Sequence, residues 1–122
     1  MERLFAFIGA VSAFLAVAAG AFGTHSLRQR LPADMLNTFE VGIRYQMYHA
    51  LGLLGIAWAM TRWSHGAVAL AGWLFIIGTI LFSGSLYALS LSGVRWLGAI
   101  TPFGGLAFLI GWLLLAWVIW HS

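Results

Sequence analysis

The chain has 122 residues, 62% of them hydrophobic and 7% charged. Soluble domains carry roughly 25% charged residues, so this composition excludes an ordinary water-soluble globule. Its formal charge of +3 is carried by scattered arginines with no basic block, so nucleic acid is not an expected partner. The absence of cysteine excludes disulfides, thiol catalysis and cysteine-ligated metals.

Apolar runs of about 20 residues recur, the length that crosses a bilayer. They exceed the roughly 10 residues of a barrel strand and do not alternate apolar with polar, so helices are expected. The sequence predicts an all-α, polytopic membrane protein of one domain, residues 1–122, built as a four-transmembrane-helix up-down bundle. The spans fall near 4–22, 45–60, 68–91 and 97–120. The first run resembles a signal peptide at Ala16-Val17-Ala18, but its n-region holds only Met1, Glu2 and Arg3, so a retained span is expected.

Between spans one and two the connection from Gly23 to Arg44 is long enough to hold structure. Pro32 suits a first helical turn, where a missing N–H costs nothing. A short interfacial helix is expected from there, running on through Leu36, Phe39 and Ile43 into the second span, with Asp34, Asn37 and Glu40 seeking water or partners. The later links, Thr61 to Gly66 and Ser92 to Trp96, are short and imply antiparallel neighbours. In the fourth run, Thr101 would cap a helix opening at Pro102, with one long kinked helix as the alternative.

Small residues recur at four-residue spacing in Ser12, Ala16 and Gly20, and in Gly84, Ala88 and Ser92, as in closely packed membrane helices. Trp58, Trp63, Trp117 and Trp120 are expected at one interface, and Trp96, Tyr45 and Tyr48 at the other. Arg28, Arg30, Arg44 and Arg95 against Arg3 and Arg62 put loops one and three in the cytoplasm and both termini outside.

Chemistry concentrates at the head of the second span. Glu40 and Arg44 share one helix face and Tyr45 and His49 another, the two faces pointing well apart. Glu40 and Arg44 read either as an i,i+4 ion pair or as a substrate- or proton-handling pair. His49 reads either as a hydrogen-bonded structural residue or as part of a site. His25 ends the first span on the same side as His49, and the two are the weak candidates for a metal or haem, without any further ligand spacing in support. No cofactor is therefore expected, and three acidic residues leave little for acid–base catalysis, so an enzyme ranks last. On the third span Thr79, Ser83, Tyr87 and Ser90 form a polar arc that would line a cleft or bond neighbouring helices.

The stretches GAFGTHSL at 20–27, FEVGIRYQMYHALGLL at 39–54, LFSGSLYALSLSG at 81–93 and LGAITPFGGLAFLIGW at 97–112 resemble the YwdK/YgdD-like family of small four-span inner-membrane proteins, a domain of unknown function. Eukaryotic small transmembrane proteins are similar. Thr24 departs from the family, which has alanine before the histidine. The resemblance implies a multi-pass protein of the bacterial plasma (inner) membrane and supplies no activity. Two functions follow from the residues. One is a binding or transport module for a small molecule, a lipid or a proton, its pocket lined by His25, Glu40, Arg44, Tyr45, His49 and Tyr87. The other is a structural protein that forms a homo-oligomer or joins a larger membrane complex.

Overall fold

A computed structural model describes residues 1–122 and contains helices and turns only. Helix α1, Glu2–Ala18, passes through a π-helical turn, Ala19–Gly23, into the single turn α2, Thr24–Leu27. The π turn falls on the glycine-rich AGAFG segment, and the Thr24 hydroxyl donates to the Ala19 carbonyl five residues back at 3.4 Å. Pro32, with ψ 156°, stands just before the next helix, one position earlier than the sequence suggested.

Helix α3 then runs unbroken from Ala33 to Arg62, 30 residues. The helix expected after Pro32 forms the first turns of α3 and runs on into the second apolar run through Leu36, Phe39 and Ile43. Met35, Phe39 and Gly42 explain this, because they already continue the buried stripe that passes through Gln46 and His49. Helix α4, Gly66–Ser92, opens with the His65 ring accepting from the Ala67 N–H at 3.0 Å. It closes on Gly93 at φ 75°, a left-handed cap that glycine adopts without strain.

A 3-10 turn, Arg95–Ala99, leads into α5, Thr101–His121. Thr101 does not cap this helix. Ile100 takes the cap position, while the Thr101 hydroxyl pairs with Ser85 Oγ on α4 at 2.6 Å. Pro102 falls in the first turn, where it removes no hydrogen bond.

Contacts run in order along the chain: α1 packs on α3, α3 on α4, and α4 on α5. Each pair is antiparallel. Ser12 meets Gln46 while Gly9 approaches Ala50, Gly42 meets Ser83 while Gly52 approaches Phe75, and Ser85 meets Thr101 while Gly78 approaches Gly104, so residue numbers fall on one helix as they rise on the other. The closest approach joins α4 and α5, where a Cβ on Gly104 would lie 2.4 Å from the Phe82 nitrogen. The core gathers where the four long helices meet, around the fully buried Phe5, Ile56, Val68 and Phe75. Outward-facing positions stay apolar, as at Phe14, Ile80, Phe103 and Leu113. Three helical segments, Glu2–Leu27, Gly66–Ser92 and Arg95–His121, are long and apolar enough to cross a membrane. α3 reaches about 45 Å at 1.5 Å per residue, but it carries the polar residues.

The two small-residue stripes have different fates. Ala16 is buried, with Ser12 beside it against α3, whereas Gly84, Ala88 and Ser92 face outward. Trp58 and Trp63 pack together at one end of the bundle under Arg62, and Trp117 lies between His65 and His121 at that same end. Tyr45 and Tyr48 lie against each other on the flank of α3 that faces α5.

Candidate functional site

The polar residues of α3 diverge because their side chains leave the helix in three directions, one toward each neighbour. Toward α1 and α4 the side chain of Gln46 forms a closed network. Its Nε2 donates to the Ser12 carbonyl at 2.9 Å, and its Oε1 accepts from the Tyr87 hydroxyl at 2.6 Å. One turn away the Ser83 hydroxyl donates to the Gly42 carbonyl at 2.6 Å. No buried side-chain polar atom in the chain lacks a partner. Of the polar arc on α4, Ser83 and Tyr87 reach across to α3, while Thr79 and Ser90 bond their own helix.

Toward α5 lies His49, 4% exposed and stacked on Phe108 with ring centroids 3.4 Å apart. Trp112 Nε1–H donates to His49 Nε2 at 3.0 Å. Indole nitrogen is only a donor, so Nε2 must be the accepting nitrogen. The proton of a neutral ring then sits on Nδ1, which donates to the Tyr45 carbonyl at 2.7 Å. Both nitrogens are engaged, and the imidazole is held as a neutral plate.

Beside this plate a cleft of about 720 Å³ opens between α3 and α5. Tyr45 and Tyr48 line it from α3, Phe82 from α4 and Trp112 from α5, with the buried, mutually stacked His49 and Phe108 at its base. Pro102 and Gly105 leave its α5 side shallow. Polar bonding here runs through His49 and Trp112, so the Tyr45 and Tyr48 hydroxyls take no part in it. A volume in this range matches a site for a small organic molecule.

The third direction carries Glu40 and Arg44. They line a notch of about 350 Å³ with Gly20, Thr24 and Ile43. The expected ion pair does not form: the one ion pair within 4.0 Å joins Arg95 to Asp34, at 3.8 Å. Glu40 is half-buried and Arg44 exposed.

The six sequence candidates therefore occupy different places. Tyr45 and His49 share the cleft, Glu40 and Arg44 share the notch, Tyr87 belongs to the inner network, and His25 is exposed on α2. His25 and His49 do not meet as a pair of ligands, since both His49 nitrogens are taken by protein. Sequence reasoning passed over Gln46, Phe108 and Trp112. Gln46 was legible from spacing, because it follows Phe39 and Gly42 along one buried stripe. Nothing local distinguishes Trp112 from the other tryptophans of α5.

Fold and site together define a small helical-bundle membrane protein with an aromatic cleft in its flank. Comparison with known proteins places it further. The family described as "Protein of unknown function (DUF423)" matches residues 19–105. The chain is 47% identical over 114 residues to the UPF0382 membrane protein YwdK of Bacillus subtilis (strain 168), covering 93% of each. It is 49% identical over 113 residues to a UPF0382 membrane protein of Staphylococcus epidermidis, covering 93% of this chain and 92% of that one. It is 42% identical over 121 residues to the UPF0382 inner membrane protein YgdD of Escherichia coli (strain K12), covering 93% and 87%. No solved structure matches. The chain belongs to the DUF423 family of membrane proteins, as its motifs suggested.

Proposed function

We propose that this protein is a membrane-embedded binding module whose α3–α5 cleft takes a lipid-soluble, ring-bearing molecule from the bilayer. The observation that carries this reading is the aromatic lining. Tyr45, Tyr48 and Trp112 present exposed ring surface to the cleft above the buried, mutually stacked His49 and Phe108, and the two tyrosines add free hydroxyls. Flat aromatic walls favour a planar guest through offset stacking, and a phenol adds direction to the contact. His49 is a fixed wall on this reading and not a proton carrier, because both its nitrogens are engaged.

The test plugs the cleft. Gly105 has space above it, its nearest neighbour to an added Cβ being Phe82 at 3.8 Å. Wild-type protein extracted from native membranes should retain a lipid-soluble compound that Gly105→Phe loses at unchanged melting temperature. Retention of the same compound by both proteins, or of none by either, contradicts the proposal.

This reading includes α3 as a fourth crossing, with both termini outside and loops one and three in the cytoplasm. The arginines of those loops support it. C-terminal phosphatase and fluorescent-protein fusions decide the side; fluorescence without phosphatase activity reverses it. A second reading, a homo-oligomer or an accessory subunit of a larger complex, rests on the outward stripe of Gly84, Ala88 and Ser92, where an added Cβ on Gly84 meets nothing within 4 Å. The chain has no cysteine, so Gly84→Cys gives a single crosslinking site: a dimer formed in membranes supports this second reading, and a monomer removes it.

A further inference from the structure

The Glu40–Arg44 notch is separate from the cleft and unlike the rest of the outer surface. Opposite charges stand one turn apart on one face of α3, yet neither satisfies the other. Across from them Thr24 is almost buried, and its hydroxyl oxygen keeps accepting capacity after donating to Ala19. Gly20 belongs to the π turn and leaves the notch open: an added Cβ there comes no nearer than 3.6 Å, to Ile43. On the same stretch of chain, Phe14 and Val17 of α1 are exposed apolar side chains.

An isolated charge beside lipid is costly and takes a partner. Here the two unpaired charges are of opposite sign, so a single zwitterion satisfies both. We propose that the notch binds the headgroup of an aminophospholipid, with its phosphate on Arg44 and its primary ammonium on Glu40, while its acyl chains lie along α1. A phosphate and an ammonium joined by two carbons suit charged groups whose Cβ atoms lie about 5–6 Å apart at four-residue spacing. Arg44 supplies the planar fork that phosphate oxygens accept from. Glu40 selects the ammonium, which makes contacts a bulky quaternary amine cannot.

The experiment uses the full-length protein and native mass spectrometry with phosphatidylethanolamine, phosphatidylglycerol and phosphatidylcholine added in turn. Phosphatidylethanolamine should be retained above the other two. Glu40→Gln and Arg44→Gln should each lower its retention about tenfold, the scale of one lost charge-assisted contact. Gly20→Leu, which fills the notch and leaves both charges in place, should lower it as well. Gly105→Phe should leave it unchanged, so this result stands or falls apart from the cleft. Soluble phosphoethanolamine separates the lipid from its free headgroup; binding as tight as that of the lipid overturns the membrane source. Equal retention of the three lipids, a preference for phosphatidylglycerol, or a preference that survives both Glu40→Gln and Gly20→Leu overturns the proposal. If Arg44→Gln does not fold, the other two variants decide it.

Discussion

Two neighbouring glycines on α5 should respond oppositely to the same change. Gly104 faces α4, and a Cβ added there would lie 2.4 Å from the Phe82 nitrogen and 2.8 Å from its Cα. Both are backbone atoms of a packed helix, so no side-chain rotation relieves the clash. The helices must separate, which forfeits dispersion contact along the whole α4–α5 seam. Overpacking of this kind costs about 1–3 kcal/mol. Alanine recovers up to about 1 kcal/mol through its better helix propensity, leaving Gly104→Ala destabilising by ~1–2 kcal/mol. At Gly105 the nearest contact of an added Cβ is 3.8 Å, ordinary van der Waals distance, so Gly105→Ala keeps only the propensity gain. Unfolding in mixed micelles, followed by tryptophan fluorescence, measures both variants against wild type. If Gly105→Ala is destabilised as much as Gly104→Ala, close helix approach is not what Gly104 provides.

Tyr87→Phe leaves Gln46 Oε1 without its donor, so it should destabilise by about 1–3 kcal/mol, and Gln46→Leu added to it should restore part of the loss. Equal stability of Tyr87→Phe and wild type in the same unfolding assay rules the network out as a stabilising element. Nitrogen NMR should find His49 as the neutral Nδ1–H form, and Trp112→Phe should shift the Nε2 resonance that loses its donor; an Nε2–H resonance in wild type contradicts the assigned geometry. In lipid-free detergent Glu40→Gln and Arg44→Gln should add within about 0.5 kcal/mol, as residues that do not pair do. A coupling energy above that value in melting curves would show that the two charges meet after all.

Length and hydropathy made the helices legible, because a bilayer imposes both on any crossing segment. The polar stretch of α3 was equally visible, since a glutamate, arginine, glutamine and histidine on an apolar helix demand partners. What the partners are was not. Trp112 lies 63 positions from His49, and no local pattern marks which tryptophan of α5 turns inward. Helical angles separated Glu40 and Arg44 from Tyr45 and His49, but only packing shows that the first pair faces the π turn and α2 and the second α5. The i,i+4 spacing of Glu40 and Arg44 permitted an ion pair without requiring one. The capping role expected of Thr101 failed for a different reason: Ile100 holds the cap position, and the Thr101 hydroxyl, already inside the helix, pairs with Ser85 on the preceding helix.

The order in which α3 finds its partners bears on how the chain enters the membrane. Its Gln46 is met by Ser12 from a helix made earlier and by Tyr87 from one made later, while the last-made long helix supplies the donor to His49. During synthesis, then, α3 would be the least lipid-compatible segment at the moment it emerges. It would have to wait at the insertion machinery, or at its mouth, until α4 and α5 follow. A chain stopped after Ser92 would contain three of the four long helices and still lack the group that completes α3. Biogenesis of this protein would thus be settled late, by α5, and truncations that remove Trp112 should be cleared by membrane proteases as readily as truncations near the middle.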